Sequence, residues 1–235
     1  MRHAIPLLLT LVCTVPDLRA EALTDLRARL KALKAQTPIT LKLEQTSTEW
    51  DEGKEKKEVR TLKVAEGSGG LKVLEDSGAG SAFRTGKAPG DPTAKKSDSP
   101  WRRQFRAQED LLDELEKSTL VGDSPEVLEG RPVRRLRLKL NLDLDEDARK
   151  HVKRSTMDAT LWLGADGLPV AMERRIDLEV RAMLFVKVWT KVDSRYRFVR
   201  VQDRLITTEA TDAVEGEAMG HAFKVRVHTQ ATPQP

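Results

Sequence analysis

The segment "LWLGADGLPVAMERR", from Leu161 to Arg175, contains the clearest structural signal in the chain. Two extended stretches flank a short Ala-Asp-Gly turn. Gly167 can adopt the left-handed conformation that ends such a turn, and Pro169 must lie where no backbone N–H is needed. The segment therefore predicts an antiparallel β-hairpin. It contains no reactive group, so Asp166 is expected to stabilise the bend rather than to take part in catalysis.

Beyond this hairpin the apolar alternation is unusually long. A single strand from residue 170 to residue 190 would be roughly 65–70 Å long, which is too long for one compact sheet. A bend or turn is therefore expected within it. The opposite face also becomes apolar from Met183 to Trp189, so this part should be covered on both sides, by one of the helices. One face is predicted to carry Val170, Met172, Ile176, Leu178, Val180, Ala182, Leu184, Val186 and Val188, interrupted by Arg174.

Alternation of the same kind predicts strands through most of the chain. In the N-terminal part, Ile39, Leu41 and Leu43 alternate with polar residues, and "DEGK" (51–54) forms a turn before a returning strand at 59–64. Short turns such as Gln202–Asp203 imply antiparallel neighbours. Further strands are predicted at 136–144, 157–163, 196–201, 204–209 and 222–228.

Two helices are predicted to pack on these strands. Leucines recur at steps of three and four residues at positions 23, 26, 30 and 33, which indicates an amphipathic N-terminal helix. A mid-chain helix can be capped by Ser99 and begin at Pro100. Its aromatic and leucine face is expected to cover the core, with a ligand lid as the alternative. That face consists of Trp101, Phe105, Leu112 and Leu115.

The first 20 residues indicate an exported protein. Arg2 precedes an apolar run from Ile5 to Val15, and Ala20 ends a plausible cleavage site, as in a secretory signal peptide. The run is about half of the roughly 20 residues that span a bilayer, and no later stretch qualifies, so no transmembrane span is expected. The protein is therefore predicted to be periplasmic or secreted.

Residues 21–235 are predicted to form one domain. Residues 21–75 supply the N-terminal helix and the first strands, and residues 101–235 supply a helix and the remaining antiparallel sheet. Between them, residues 76–100 are rich in Gly, Ser, Pro and Lys and are predicted to be a flexible or disordered insertion.

Composition restricts the function classes. Cys13, within the predicted signal, is the chain's single cysteine, so a packed core must stabilise the mature protein. The formal net charge of the full chain is +4, and Lys and Arg alternate with Asp and Glu along most segments. A nucleic-acid partner, which would require segregated positive charge, is therefore not predicted.

Motifs that resemble reactive sites are incomplete. The run from Asn141 to Asp147 lacks the glycine and the glutamate of a calcium loop, and His151, His221 and His228 do not show metal-ligand spacing. "GDS" at 122–124 occurs in some esterases, but nothing orients a histidine towards Ser124. The sequence thus predicts no catalytic residue, no metal site and no cofactor, and a protein that is not an enzyme.

Three stretches resemble the periplasmic lipoprotein-carrier (LolA/LolB-like) superfamily. They are "LTDLRARLKALKAQTPITLKLEQT" (23–46), "TLWLGADGLPVAMERR" (160–175) and "RFVRVQDRLITTE" (197–209), together with the order of predicted elements. The resemblance implies an α+β, mainly β fold: a curved antiparallel sheet, or incomplete barrel, covered by an N-terminal and a mid-chain helix. Such carriers hold acyl chains in the concavity.

The resemblance also suggests a role for Arg174. These carriers have a cavity arginine whose hydrogen bonds help to hold the lid closed, and Arg174 is the candidate here. The alternative is an arginine at the sheet rim with its head in water. The Pro- and aromatic-rich segment that usually follows the second strand in carriers is replaced here by "EGSGGLKVLEDSGAG" (66–80).

These observations predict a non-enzymatic exported envelope protein that binds an apolar ligand, a lipid or a lipoprotein acyl chain, in a half-barrel cavity. The alternative is a β-rich scaffold or sensor module that binds another envelope protein and has no ligand cavity. The residues predicted to line the ligand are Leu161, Val170, Met172, Arg174, Ile176, Leu178, Leu184, Phe185 and Trp189.

Overall fold

The computed structural model describes residues 18–51, 54–78, 101–141, 150–182, 186–218 and 220–235. The helices are α1 (Leu18–Ala32), α2 (Arg102–Phe105) and α3 (Ala107–Glu116). The strands are β1 (Ile39–Asp51), β2 (Lys54–Gly67), β3 (Gly70–Asp76), β4 (Ser118–Leu128), β5 (Arg131–Leu140), β6 (Val152–Leu163), β7 (Pro169–Ala182), β8 (Val186–Val201), β9 (Arg204–Ala218) and β10 (His221–Gln234).

The ten strands form one antiparallel sheet that is not closed into a barrel. Their order is β3-β2-β1-β10-β9-β8-β7-β6-β5-β4, so every strand except β1 and β10 pairs only with its neighbours in sequence. The pairing of β1 with β10 places the first and the last strand of the chain side by side inside the sheet. The predicted α+β, mainly β fold with an antiparallel sheet is therefore confirmed.

The hairpin between β6 and β7 has the predicted turn. Gly167 has φ +73°, and the Asp166 carboxylate accepts a hydrogen bond from the Leu168 N–H at 3.0 Å. Pro169 is the first residue of β7. The expected break in the long alternation lies between β7 and β8, where Ala182 is paired with Val186.

The prediction of a single mid-chain helix is wrong, because the chain forms two short helices, α2 and α3. The break lies at Arg106, which has φ −139° and ψ 51°. This backbone conformation lets the Arg106 guanidinium reach Glu66 on β2, with Nε 2.5 Å from Oε1. Leu111 and Leu115 are buried on α3, whereas Leu112 is only partly buried.

Helices α1 and α3 lie on one face of the sheet, and the sheet curves around them. One apolar core contains leucines of both helices together with residues of every strand from β9 to β4, and these two strands are five positions apart in the strand order. In a flat sheet these strands would be about 24 Å apart, more than twice the diameter of roughly 10 Å of a helix. The leucines at 23, 26 and 30 of α1 are buried in the same core, as predicted, and Leu33 is partly buried.

A buried ion pair joins the chain segments next to the helices. The Arg204 guanidinium on β9 pairs with Glu66 on β2 and also donates to the backbone carbonyls of Ala35 and Thr37. Arg204 and Glu66 have side-chain exposures of 2% and 3%. Since Glu66 also accepts from Arg106, this cluster fixes the start of α3 and the connection from α1 to β1 against the sheet.

Several predicted features lie outside the described residues. They are most of the signal peptide (1–17), most of the predicted insertion (79–100, including Ser99 and Pro100), Leu142 and Leu144, and residues 183–185.

Candidate functional site

The face of the sheet under the helices, called here the inner face, contains two contrasting regions. Strand pairing places residues from β5 to β2 on two register lines. Along the first line lie Leu136, Leu161, Met172, Tyr196, Ala210, Thr229, Gln45 and Arg60. Along the second line lie Leu138, Ala159, Arg174, Ser194, Asp212, Val227, Ser47 and Glu58.

The residues along both lines change from mainly apolar to mainly polar at β8. On β5, β6 and β7 their residues are apolar except for Arg174, and this part is called the apolar sector. On β8, β9, β10, β1 and β2 they are mostly polar, with Ala210 and Val227 as exceptions, and this part is called the polar sector. One continuous curved surface therefore presents hydrocarbon on one side and hydrogen-bonding groups on the other.

Leucines of the helices cover the apolar sector. Leu26 and Leu30 of α1 and Leu115 of α3 are at most 1% exposed, and they belong to the same core as Leu136 and Leu161. Burying such side chains is the main source of stability for a protein without disulfides. In this conformation the protein's own side chains occupy the concave side of β5, β6 and β7.

Arg174 lies within the apolar sector and reaches α3. Its Nη1 donates to Oε1 of Glu114 at 2.9 Å, and its Nη2 donates to the Ser194 hydroxyl at 3.4 Å. The Arg174 side chain is 3% exposed, which excludes the alternative of a rim arginine with its head in water. Glu114 is 26% exposed, so the pair joins the floor of the concavity to the outer edge of the covering helix.

A second polar contact joins α2 to the sheet. Arg103 donates to the Tyr196 hydroxyl at 2.7 Å, and that hydroxyl donates to Oδ1 of Asp212, also at 2.7 Å. The Arg103 guanidinium lies over the Tyr196 ring, 5.0 Å from its centroid. Burial raises the pKa of the Tyr196 phenol and Arg103 opposes this, so the hydroxyl stays protonated and acts as a donor to Asp212.

The rest of the polar sector contains buried amide and hydroxyl groups. Gln45 on β1 donates through Nε2 to the Thr229 hydroxyl on β10, at 3.4 Å. Gln45, Ser47 and Thr229 are at most 6% exposed. Gln104 of α2 is buried to the same degree. Buried polar groups on this scale are normally fully hydrogen-bonded, so any unused atom among them requires an explanation.

The apolar inner face continues beyond the fully buried core, towards the β7–β8 turn. Ile176, Val192 and Val214 are at most 2% exposed. On the next two register lines the apolar side chains are only half-buried, whereas Thr190 of β8, which lies beside Leu178, is buried. This half-buried surface, called here the ledge, consists of Leu178 and Val180 on β7, Val188 on β8 and Phe223 on β10.

The predicted lining residues do not all lie on one surface. Leu161, Met172, Arg174 and Ile176 are buried on the inner face, and Leu178 and Val170 are half-buried. Leu184 and Phe185 lie outside the described residues.

Trp189 is separated from this group, because it lies on the outer face of β8. There its indole contacts Glu217, with Nε1 3.4 Å from Oε2, and Lys191, whose Nζ is 5.6 Å from the ring centroid. Contrary to the prediction, no helix of the described residues covers this side of the sheet at Trp189. Charged side chains of β8 and β9 shield the ring instead, because α1 and α3 both pack on the inner face.

Among the described residues, no group of three or more His, Cys, Asp or Glu side chains could hold a metal ion. Ser124 lies in the middle of β4, opposite Arg135 of β5. His221 is exposed, and Nδ1 of His228 is 2.9 Å from the Thr211 hydroxyl. Within the same part of the chain, no helix has both the length and the apolar character needed to cross a membrane.

Sequence reasoning missed several polar residues of the inner face. Glu114 follows the buried Leu111 by three positions, a spacing that places it near the same helix face. Gln45 and Ser47 continue the alternation begun by Leu41 and Leu43, so their inward direction was readable from the sequence. Nothing local identified the partnership of Arg103 and Tyr196, which are 93 residues apart.

No protein-family profile matches the chain, and no curated protein matches it by sequence. Three solved structures are similar in fold at low identity. A DUF1329 family protein from Desulfovibrio piger has 11% identity and a TM-score of 0.36, over 90% of this chain and 91% of that one. A putative outer membrane lipoprotein-sorting protein domain from Vibrio parahaemolyticus has 14% identity and a TM-score of 0.37, over 91% of each chain.

The third structure is MucB in complex with MucA(peri), with 10% identity and a TM-score of 0.23, over 91% of this chain and 94% of that one.

Proposed function

We propose that the protein is a non-enzymatic exported protein of the cell envelope that binds an apolar ligand, a lipid or a lipoprotein acyl chain, on the inner face of its sheet. The observation that carries this proposal is the continuity between the buried apolar sector and the half-buried ledge. An acyl chain placed on the ledge would extend the existing core, at about 0.8 kcal/mol per buried methylene. The predicted N-terminal signal peptide supports a periplasmic or secreted location.

Deeper binding requires movement of α3. Leu111 and Leu115 occupy the inner face, so a ligand can replace them only if the helix is displaced. Arg174 and Glu114 oppose this displacement, which gives Arg174 the role of holding the cover closed. The Gln108 amide oxygen adds a second attachment by accepting from the Leu205 N–H on β9, at 3.1 Å.

Fluorescence of N-phenyl-1-naphthylamine tests the proposal, because this probe emits strongly only in apolar surroundings. Val188→Glu places a charge on the ledge and should weaken probe binding by at least about tenfold, since an acyl-like ligand cannot solvate a carboxylate. Val199→Glu is the matched control, because Val199 lies on the outer face of the same strand and is 48% exposed. It should bind the probe like the unmodified protein.

Mass spectrometry of the protein purified from a periplasmic extract provides a second readout, because a bound lipid should appear as a discrete added mass. A ligand-free spectrum together with no binding of the fluorescent probe would contradict the proposal.

A second candidate function is a scaffold or sensor module that binds another envelope protein. It is favoured by the filled concavity under α1 and α3, and by edge strand β3, where Val73 and Leu74 are 52% and 54% exposed. Unpaired edge strands can bind a further strand. A photo-crosslinking residue at position 74 should then give a discrete adduct in intact cells, whereas one at position 199, which is 48% exposed on the interior strand β8, should not.

A further inference from the structure

Helix α2 lies along the first register line of the polar sector. At one end of this line the Arg60 guanidinium contacts the Trp101 ring, 5.8 Å from its centroid. At the other end Arg103 contacts Tyr196, as described above. Gln45 and Thr229 lie between Arg60 and Tyr196 on the same line. Side chains of the short helix and of the residue that precedes it thus contact both ends of the line, on β2 and on β8.

Two glutamine side chains at this interface each keep an unused acceptor atom. The Oε1 atoms of Gln45 and Gln104 are buried and accept no hydrogen bond. Both residues are at least nine-tenths buried. Two unused acceptors, one on β1 and one on α2, match a group that donates hydrogen bonds, as a hydroxyl does.

The charges at the ends of the line are balanced. Arg60 Nε donates to Oδ1 of Asp76 at 2.8 Å. Arg103 lies 3.4 Å from an oxygen of Asp110 and 4.0 Å from an oxygen of Asp212. Each guanidinium therefore has a carboxylate within ion-pair distance. A second, ionised ligand would have to displace one of these carboxylates, whereas an uncharged one would not.

We propose that the polar sector binds the uncharged, hydroxyl-bearing headgroup of an amphiphile whose acyl chain lies on the apolar sector and the ledge. The inference rests on the proposed apolar-ligand function and specifies its ligand class. Gln45 and Gln104 accept hydrogen bonds from the headgroup hydroxyls. Because the two sectors are adjacent on one curved surface, a single molecule can occupy both.

Two ligands with the same acyl chain test this proposal. 1-Monooleoylglycerol carries two hydroxyl donors, whereas methyl oleate carries none. Affinity is measured by displacement of N-phenyl-1-naphthylamine from the full-length mature protein. The monoacylglycerol should bind about tenfold more tightly than the methyl ester, because the buried amides are left unsatisfied by the ester.

Glutamine variants test whether the side-chain amides cause the difference in affinity between the two ligands. Gln45→Leu and Gln104→Leu keep the side-chain size and remove the amide, so each should abolish the preference and leave methyl oleate binding unchanged. Gln230→Leu is the matched control, because Gln230 is exposed on the outer face of β10. Gln45 and Gln104 belong to different elements, so if one variant does not fold, the other still provides the test.

Each result has a definite meaning. Equal affinity for the two ligands, or an unchanged preference in both folded glutamine variants, would overturn the headgroup proposal, and the binding of methyl oleate would still support the apolar-ligand function. Failure of both ligands to bind would overturn both proposals.

Discussion

The apolar and polar sectors lie on the same face of the same sheet, yet different interactions hold them. The apolar sector is fixed by leucines of two helices that fit against it, which requires only that water be excluded. The strands of the polar sector are held by directional contacts, with Tyr196, Asp212 and Arg103 at one position and Glu66 with Arg204 at another, in addition to a smaller apolar cluster around Phe105.

This difference has a consequence for ligand binding. An apolar interface can exchange one hydrocarbon for another with little change in free energy, so helix leucines can be replaced by an acyl chain. A directional polar interface accepts only partners that restore its hydrogen bonds. Capacity for a ligand is therefore expected from the apolar sector, and selectivity from the polar sector.

The largest expected effect is on the polar side, from Glu66→Ala. The change leaves the buried Arg204 guanidinium without its carboxylate and should lower the free energy of unfolding by about 4 kcal/mol, measured by urea denaturation. Glu44→Ala is the control, because its ion pair with Lys42 is about half exposed and should contribute less than about 1 kcal/mol. Similar losses of unfolding free energy for the two variants would show that the buried ion pair contributes no more to stability than the exposed one.

A smaller loss is expected from Leu161→Ala in the apolar sector. Leu161 is 1% exposed, and its truncation should lower the free energy of unfolding by about 3 kcal/mol through lost burial and a residual cavity. Leu74→Ala, at a position 54% exposed, should cost no more than about 0.5 kcal/mol. If Leu161→Ala lowers the free energy of unfolding more than Glu66→Ala does, the expected order of the two effects is wrong.

Glu114→Gln tests the ion pair of Arg174, the polar residue within the apolar sector. The amide keeps an acceptor for Arg174 but removes the charge, so the free energy of unfolding should fall by about 1 kcal/mol. Because α3 is then held less firmly, N-phenyl-1-naphthylamine should bind faster in stopped-flow fluorescence. Glu116→Gln, at an exposed position two residues further on, should change neither quantity. A slower binding rate in Glu114→Gln would contradict the role given to Arg174.

The smallest effect is expected at Asp76, beside the polar sector. A hydrogen bond from Arg60, assisted by the Gly78 N–H, lowers the pKa of the Asp76 carboxyl from 3.8 to about 2. The folded protein therefore binds this proton less readily than the unfolded chain. The stability that results is present above pH 3.8 and is lost as the pH falls from 3.8 to about 2.

Asp76→Asn should therefore flatten the dependence of the unfolding free energy on pH within that window. Asp193→Asn, which affects a largely exposed pair with Arg175, is the control and should leave the dependence as it is. An identical acid profile for Asp76→Asn and the unmodified protein would exclude this contribution.

The sequence alone determined the features that follow from local periodicity. Alternation predicted the strands, leucine spacing predicted α1, and the conformational freedom of Gly167 predicted the hairpin, because each depends on residues within one element. The long alternation from residue 170 also predicted that a turn must exist, because strand length is limited. The predicted inward face, with Met172, Arg174 and Ile176 on one side, is likewise a consequence of the two-residue period.

The tertiary structure alone decided which groups meet. Arg174 and Glu114 are 60 residues apart, and Arg204 and Glu66 are 138 residues apart, so neither pair has a local signature. The break at Arg106 depends on Glu66, a residue of a distant strand. The division into an apolar and a polar sector depends on the register of eight strands, from β5 round to β2. Register is a property of the assembled sheet, because the pattern of each strand fixes which face is inward but not which residues lie side by side across it.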